Sequence, residues 1–285
     1  MKVFLITGSS RGLGRAIAEA VLEAGHQLVA TARKPEQLDD LVAKYGDQIR
    51  AVRLDVTDYA AAQSAVQAAV DAFGRLDVVV NNAGYANVAS VEDMEIEDFR
   101  QQIDTNLLGV VNVTKAALPQ LREQGSGYII QVSSVGGRAV AAGLSAYQAA
   151  KWAVGGFSGV LAREVNPLGI KVTVLEPGGM NTDWAGSSMT VHPVSAPYEQ
   201  SLGLMRDMRA SGVAANDPAK VAQVVLQLVD SEEVPERLLI GPDALAVANQ
   251  YERARDVEKE KWLDVTISTV HDNVDARFLD PTDRL

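Results

Sequence analysis

The sequence predicts an α/β fold: a doubly wound, Rossmann-like parallel sheet of seven strands in a single domain. Three observations carry this. Short runs rich in Val, Ile and Leu alternate with longer helical stretches, the pattern of stacked βαβ units. The runs are almost continuously apolar, as strands covered by helices on both faces must be. The first run leads straight into a glycine-rich turn that opens a helix, Thr7-Gly8-Ser9-Ser10-Arg11-Gly12-Leu13-Gly14.

Strands are predicted over residues 3–7, 27–31, 51–54, 77–80, 128–133, 171–175 and 238–240. Helices are predicted over 13–24, 59–73, 99–123, 146–165, 218–229 and 243–262, the first four stopped by Gly25, Gly74, Gly125 and Pro167. Between 178 and 212 the chain becomes irregular, with Gly, Pro, Ser and Met over a stretch too long for a plain connection. It is expected to form a substrate lid with short helices after strand six, or else a partly disordered insert. The catalytic domain is thus expected to fill residues 1–262, lid included, with 263–285 as a C-terminal tail. Residues 252–261 hold four acids and four bases and read as a solvated helix face.

Composition narrows the function. The chain has 285 residues, 47% of them hydrophobic, enough for a sizeable core. A net charge of −11 repels phosphodiester backbones, so no nucleic-acid partner is expected. Cysteine is absent, which excludes disulfides and thiolate metal sites. His26, His192 and His271 have no ligand spacing, so no metal is expected. No eighteen apolar residues run together, and MKVFLITG is too short in its apolar run for a signal peptide. A cytoplasmic protein without a membrane partner is expected.

The glycine turn suits a phosphate. Glycines let the backbone bend sharply and approach a pyrophosphate, whose charge then meets free N–H groups at a helix start. Three glycines near a turn are equally ordinary turn chemistry. If the ligand is a dinucleotide, the stretch after strand two indicates which. An NAD site usually places Asp or Glu there to hold the ribose 2′-OH, but the sequence reads Thr31-Ala32-Arg33-Lys34-Pro35. Arg33, with Arg11 from the glycine turn, would instead fork onto the 2′-phosphate of NADP(H); otherwise both are solvated surface cations.

Tyr147-Gln148-Ala149-Ala150-Lys151 places a phenol and an ammonium on one helix face. A tyrosine titrates near ~10, too high for base chemistry at neutral pH. Lowering it by ~2–3 units requires roughly 3–4 kcal/mol of phenolate stabilisation. A lysine and a cationic nicotinamide ring would supply that together. Alone, the pair is an ordinary amphipathic spacing. Its context differs: Ser134 stands thirteen residues earlier at a predicted strand end, Asn81-Asn82-Ala83-Gly84 ends strand four, Asn106 follows, and Pro177-Gly178 closes strand six.

Together the glycine turn, NNAG, Asn106, Ser134, YQAAK and Pro177-Gly178 resemble the short-chain dehydrogenase/reductase family, in that family's order and spacing, over about residues 1–185. The resemblance implies hydride transfer between nicotinamide and a carbonyl or alcohol carbon, with NADP(H) as the cofactor that Arg33 and Arg11 suggest. It implies that Tyr147 exchanges the proton, Ser134 bonds the carbonyl oxygen, Lys151 tunes Tyr147 and binds the nicotinamide ribose, and Asn106 holds a water leading from Lys151 to solvent. Asp55 and Val56 would meet the adenine, Asn82 and Gly84 the adenosine ribose, and Thr182 the carboxamide. Gly8, Ser10, Arg11, Gly12, Leu13, Gly14, Pro177 and Gly178 would complete the cofactor site. Trp184, Met189, Tyr198, Leu204, Met205 and Met208, with Tyr85, would wall an apolar substrate, or merely pack the lid. Small residues Ala149, Ala150, Ala153, Gly155 and Gly156 permit close helix approach, and the resemblance implies a homodimer or homotetramer. A non-catalytic NADP-binding sensor on the same fold is the alternative. Such proteins typically lose the tyrosine or lysine kept here. The sequence also resembles a branch grouped with 17β-hydroxysteroid-dehydrogenase-like proteins, which does not by itself imply a steroid substrate.

Overall fold

The computed structural model describes residues 1–180, 189–203 and 215–270. Its strands are β1 (Val3–Ile6), β2 (Gln27–Ala32), β3 (Ile49–Arg53), β4 (Val78–Asn81), β5 (Gly127–Val132), β6 (Ile170–Pro177) and β7 (Arg237–Ile240). The helices are α1 (Gly12–Glu23), α2 (Asp39–Tyr45), α3 (Tyr59–Phe73), α4 (Ile96–Ile103), α5 (Gly109–Gln124), α6 (Ser145–Val165), α7 (Pro218–Asp230), α8 (Pro242–Lys261) and α9 (Leu263–Ile267). The strands form one sheet in the order β3-β2-β1-β4-β5-β6-β7, parallel throughout.

Strand pleating explains why the runs are apolar without alternation. Phe4, Ile6, Leu28, Ala30, Val78, Val80, Tyr128 and Ile130 face one layer, packed with Ile17 and Val21 of α1 and Val221 and Val225 of α7. Val3, Leu5, Val29, Val79 and Ile129, the intervening residues, face the other layer with Ala62 and Ala65 of α3, Val113 and Ala117 of α5, and Leu161 and Val165 of α6. Successive side chains point to opposite faces, and both faces are covered. Burying a Val, Leu or Ile fully contributes roughly 1.5–3 kcal/mol, so these two layers supply most of the fold's driving force.

Two elements depart from the sequence reading. Helix α2 lies in a stretch with no predicted structure; among its seven residues only Leu41 is buried, too little for a helical period. The helix predicted over 99–123 starts at Ile96 and is broken by a π-helical turn, Asp104–Leu108, between α4 and α5. Such turns are rare and concentrate at functional sites.

The reversal of strand order between β1 and β4 opens a crevice at the carboxyl edge of the sheet, where ligands of open α/β folds bind.

Candidate active site

Every predicted site segment that the structure describes lies at or beside that carboxyl edge. Gly8–Gly14 follow β1, Arg33 follows β2, Asp55 and Val56 follow β3, Asn82 and Gly84 follow β4, Ser134 follows β5, and Pro177-Gly178 end β6. Thr182 lies outside the described residues.

The glycine turn is shaped as a cradle. Gly8 sits at φ +67°, and a Cβ there would come within 3.1 Å of Ala83 Cα. Gly14 lies so close beneath that its Cβ would be 2.3 Å from the Gly8 carbonyl oxygen. Only glycine permits this approach. Arg11 precedes α1 in extended conformation without capping it through its side chain, and the first turn carries no acid. Those first N–H groups and the helix dipole suit an anion. Ser10 and Gly12 are half-buried on the turn, while Leu13 is buried in the core. The cradle therefore fits a pyrophosphate. Thr7, in the motif but not singled out by sequence, ties it to β4: its hydroxyl accepts from the N–H groups of Asn82 and Ala83, both at 2.9 Å. Asn82 Nδ2 donates to the Thr7 carbonyl at 3.0 Å and the Gly8 carbonyl at 3.3 Å.

Arg11 and Arg33 are exposed. Arg15, by contrast, is bound to Glu19 and Asp40. Burial and the Asp98 charge raise the Tyr85 phenol and the Arg33 charge draws it partly back, so Arg33 lies within electrostatic reach of Tyr85. Asp55 accepts from the backbone N–H and hydroxyl of Thr57 at 3.0 and 2.8 Å. Val56 is buried, and Asn112 donates to its carbonyl at 3.0 Å, so this asparagine serves the edge loop.

At the centre, Tyr147 and Lys151 are both buried, with the ammonium 5.6 Å from the ring centroid. Lys151 donates to the Val132 carbonyl at 2.8 Å. Burial pushes the Tyr147 phenol up to about 12, while a hydrogen bond with Ser134 pulls the other way. Burial pushes Lys151 down to about 8. A Cβ on Gly84 would be 3.6 Å from Lys151 Nζ and 2.5 Å from Asn106 Oδ1. Asn106 Oδ1 accepts from the Tyr85 N–H at 3.0 Å, and its Nδ2 donates to the carbonyls of Tyr85 and Gln102 at 2.9 and 2.8 Å. The π-helical turn thus presents an amide that fixes the loop beside the lysine.

Two residues far along the chain hold the Pro177-Gly178 end. Asp243 accepts from the Gly179 N–H at 2.6 Å, and Asn216 donates to the Gly179 carbonyl at 2.8 Å. No local pattern announces either. Of the expected substrate wall, Met189 and Tyr198 pack against Ala86, Val88, Leu144, Leu202 and Tyr147 itself. Tyr85 is half-buried at the same loop. Trp184, Leu204, Met205 and Met208 lie outside the described residues. Segment 189–203 is pinned by a parallel bridge from Val191 to Val88 and by His192 on Asp98 at 2.9 Å.

A ~10.4 lysine held at about 8 is a stability statement. The folded value is lowered, so below about pH 8 the charged lysine costs the full amount, about 3 kcal/mol, and the cost fades as pH rises toward ~10.4. Lys151→Met leaves the Val132 carbonyl without that donor, which offsets part of the gain. The variant is expected to be more stable by about 1–2 kcal/mol at neutral pH, and this advantage to vanish near pH 10, as read by denaturant titration.

A Rossmann-like sheet with a phosphate cradle and a buried Tyr/Lys pair beside a half-buried serine at its carboxyl edge defines a nucleotide-dependent oxidoreductase. The chain belongs to the short-chain dehydrogenase family, whose model, "short chain dehydrogenase", matches residues 2–191. Members of this family act on carbonyl or alcohol groups with a nicotinamide cofactor. The chain is 54% identical to oxidoreductase BOA17 of Botryotinia fuckeliana over 271 residues, 94% of this chain and 99% of that one. It is 32% identical to a 3-ketodihydrosphingosine reductase of Bacteroides thetaiotaomicron over 244 residues, 85% of this chain and 88% of that one. Among solved structures, a short-chain dehydrogenase from Streptomyces avermitilis superposes with a TM-score of 0.89 at 38% identity, covering 95% of this chain and all of the other. Among the described residues no helix is long and apolar enough to cross a membrane, and no His/Cys/Asp/Glu group is suited to a metal.

Proposed function

We propose that this chain is an NADPH-dependent reductase of a partly apolar ketone or aldehyde, working in reverse as an alcohol dehydrogenase, with Tyr147 as general acid/base. The chief support is the meeting of a pyrophosphate cradle with the buried Tyr147/Lys151 pair and the half-buried Ser134 at one sheet edge. When bound, the cofactor supplies or accepts the hydride. In reduction Tyr147 gives its proton to the carbonyl oxygen, for which a phenol held well above neutral pH is in the right state. Ser134 donates to the same oxygen, and the Lys151 charge stabilises the phenolate left behind. Gly84 and Asn106 keep the loop against Lys151, and Asn106 is where the water relay implied by the family would start. Arg33 and Arg11 take the 2′-phosphate, Asp55 and Val56 the adenine, Asn82 and Gly84 its ribose, and Thr182 the carboxamide.

The apolar group around Tyr147 supports an aliphatic or cyclic substrate, and the sphingosine-type relative points the same way. The chain's lack of cysteine suits a cytoplasmic setting. NADPH oxidation over a panel of long-chain ketones, cyclic ketones and aldehydes tests the reading. Turnover with at least one apolar carbonyl is expected, whereas cofactor binding without turnover across the panel would favour a sensor.

We also propose a homodimer or homotetramer built on α6. Of its small residues, Ala150 is buried and Gly155 is turned inward, where its Cβ would lie 2.9 Å from an Arg237 nitrogen. Ala149 and Gly156 are exposed, Ala153 half-exposed and Val160 59% exposed, giving one outward stripe. Sedimentation velocity at micromolar concentration should show a dimer or tetramer; a monomer would overturn this.

A further inference from the structure

Glu176 stands immediately before Pro177-Gly178 at the end of β6, and its side chain is completely buried. An ionised carboxylate is kept in such a place only when its oxygens are paired. Arg138 Nε donates to Oε2 at 2.5 Å, and Arg237 Nε donates to Oε1 at 2.8 Å, with a second nitrogen of Arg237 on the same oxygen. Arg138 sends its other arm to Glu252 of α8 at 3.0 Å, which balances the second cation. The short turn Val135–Gly137 packs beside both Arg237 and α6. Ser134 caps its start, accepting from the Gly136 N–H at 3.0 Å, and Arg138 ends it. Arg237 donates to the Gly137 carbonyl at 3.2 Å. From the other side the turn is pressed onto α6: a Cβ on Gly137 would lie 2.8 Å from Ser133 Oγ and 2.9 Å from the Lys151 carbonyl oxygen.

We propose that Arg138, Glu176 and Arg237 form a positioning cluster that fixes the Ser134 hydroxyl relative to Tyr147 by clamping the turn between β6 and α6. None of the three touches the reacting atoms. They act through Ser134, whose hydrogen bond counters the upward pull of burial on the phenol. The inference rests on the function proposed above. Removing Arg138 leaves the Glu176 charge balanced by Arg237 but takes away the donor to Oε2, so the unfolding midpoint of Arg138→Met is measured alongside its titration.

The measurement is the ultraviolet phenolate titration of Tyr147 in NADP⁺-loaded protein, each curve taken as the difference from the same protein carrying Tyr147→Phe. Arg138→Met should raise the Tyr147 pKa by about one unit, the size of one lost hydrogen bond, as Ser134→Ala should. In the double variant the shift should not exceed that of Ser134→Ala alone, since both act through one bond. Arg138→Lys keeps the charge but not the fork, and carries the test if the methionine variant fails to fold; it should give a smaller shift of the same sign. An unmoved titration in the folded variants, or fully additive shifts, would overturn the cluster's role. Turnover of Tyr147→Phe, followed in parallel, separates the failures. If that variant turns over normally, the acid/base reading falls and the cluster's role with it. If it is inactive while Arg138 variants titrate like wild type, only the cluster's role falls.

Discussion

Tyr147→Phe is expected to fold, to bind NADPH like the parent chain, and to lose turnover by roughly a hundred- to ten-thousandfold, the usual contribution of a general acid. The phenyl ring preserves the packing with Ala86, Val88, Leu144 and Leu202, and Ser134 keeps the Gly136 N–H as a partner. The hydroxyl contributes at most about 1 kcal/mol to stability, so a large loss of activity with a small change in unfolding midpoint isolates its chemistry. The pH dependence gives a second readout. The phenol, at about 12, stays protonated through neutrality, but Lys151, at about 8, loses its charge first. Reductive kcat/KM should therefore be flat below about pH 8 and decline above it, long before the phenol titrates. Wild-type turnover in Tyr147→Phe would refute the acid/base assignment. A rate that rises through pH 8 would refute the need for a charged lysine.

Arg33→Ala is expected to weaken NADPH by about ten- to a hundredfold and to leave NADH nearly untouched. Charge-assisted hydrogen bonds contribute roughly 1.5–3 kcal/mol, and NADH lacks the phosphate that Arg33 would hold. Ala32 ends β2 beside Arg53 of β3, where Ala32→Asp would repel a 2′-phosphate and offer an acceptor to a bare ribose. The double variant should invert the preference, so its NADPH/NADH ratio of kcat/KM should fall by more than either single change produces. If Arg33→Ala leaves that ratio unchanged, Arg33 points into water and cofactor choice is set elsewhere.

The course of the chain was largely legible before folding. Seven apolar runs became seven parallel strands within a few residues of their predicted bounds, because a strand buried on both faces needs an unbroken apolar run and its neighbours need turns. Helix ends at Gly74 and Gly125 were legible because both residues adopt left-handed backbone conformations. The helix missed at Asp39–Tyr45 buries too little of itself to show a period. The π-helical turn at Asn106 was hidden inside a good helical sequence, since an extra residue in one turn leaves the residue types unchanged.

For the site, the division follows sequence distance. Tyr147 and Lys151 share a face by helical spacing alone, and the glycines of the first turn are demanded by its backbone, so the sequence by itself determined both. Only the tertiary structure decided that Asp243 and Asn216 hold the chain at Gly179, that Glu176 is buried between Arg138 and Arg237, and that Gly155 faces inward. These partners lie tens of residues apart, where no local period couples them. Their pairing follows from which charges the packed sheet removes from water. The same removal lifts the Tyr147 phenol and lowers the Lys151 ammonium, shifts that exist only once the core has closed around them.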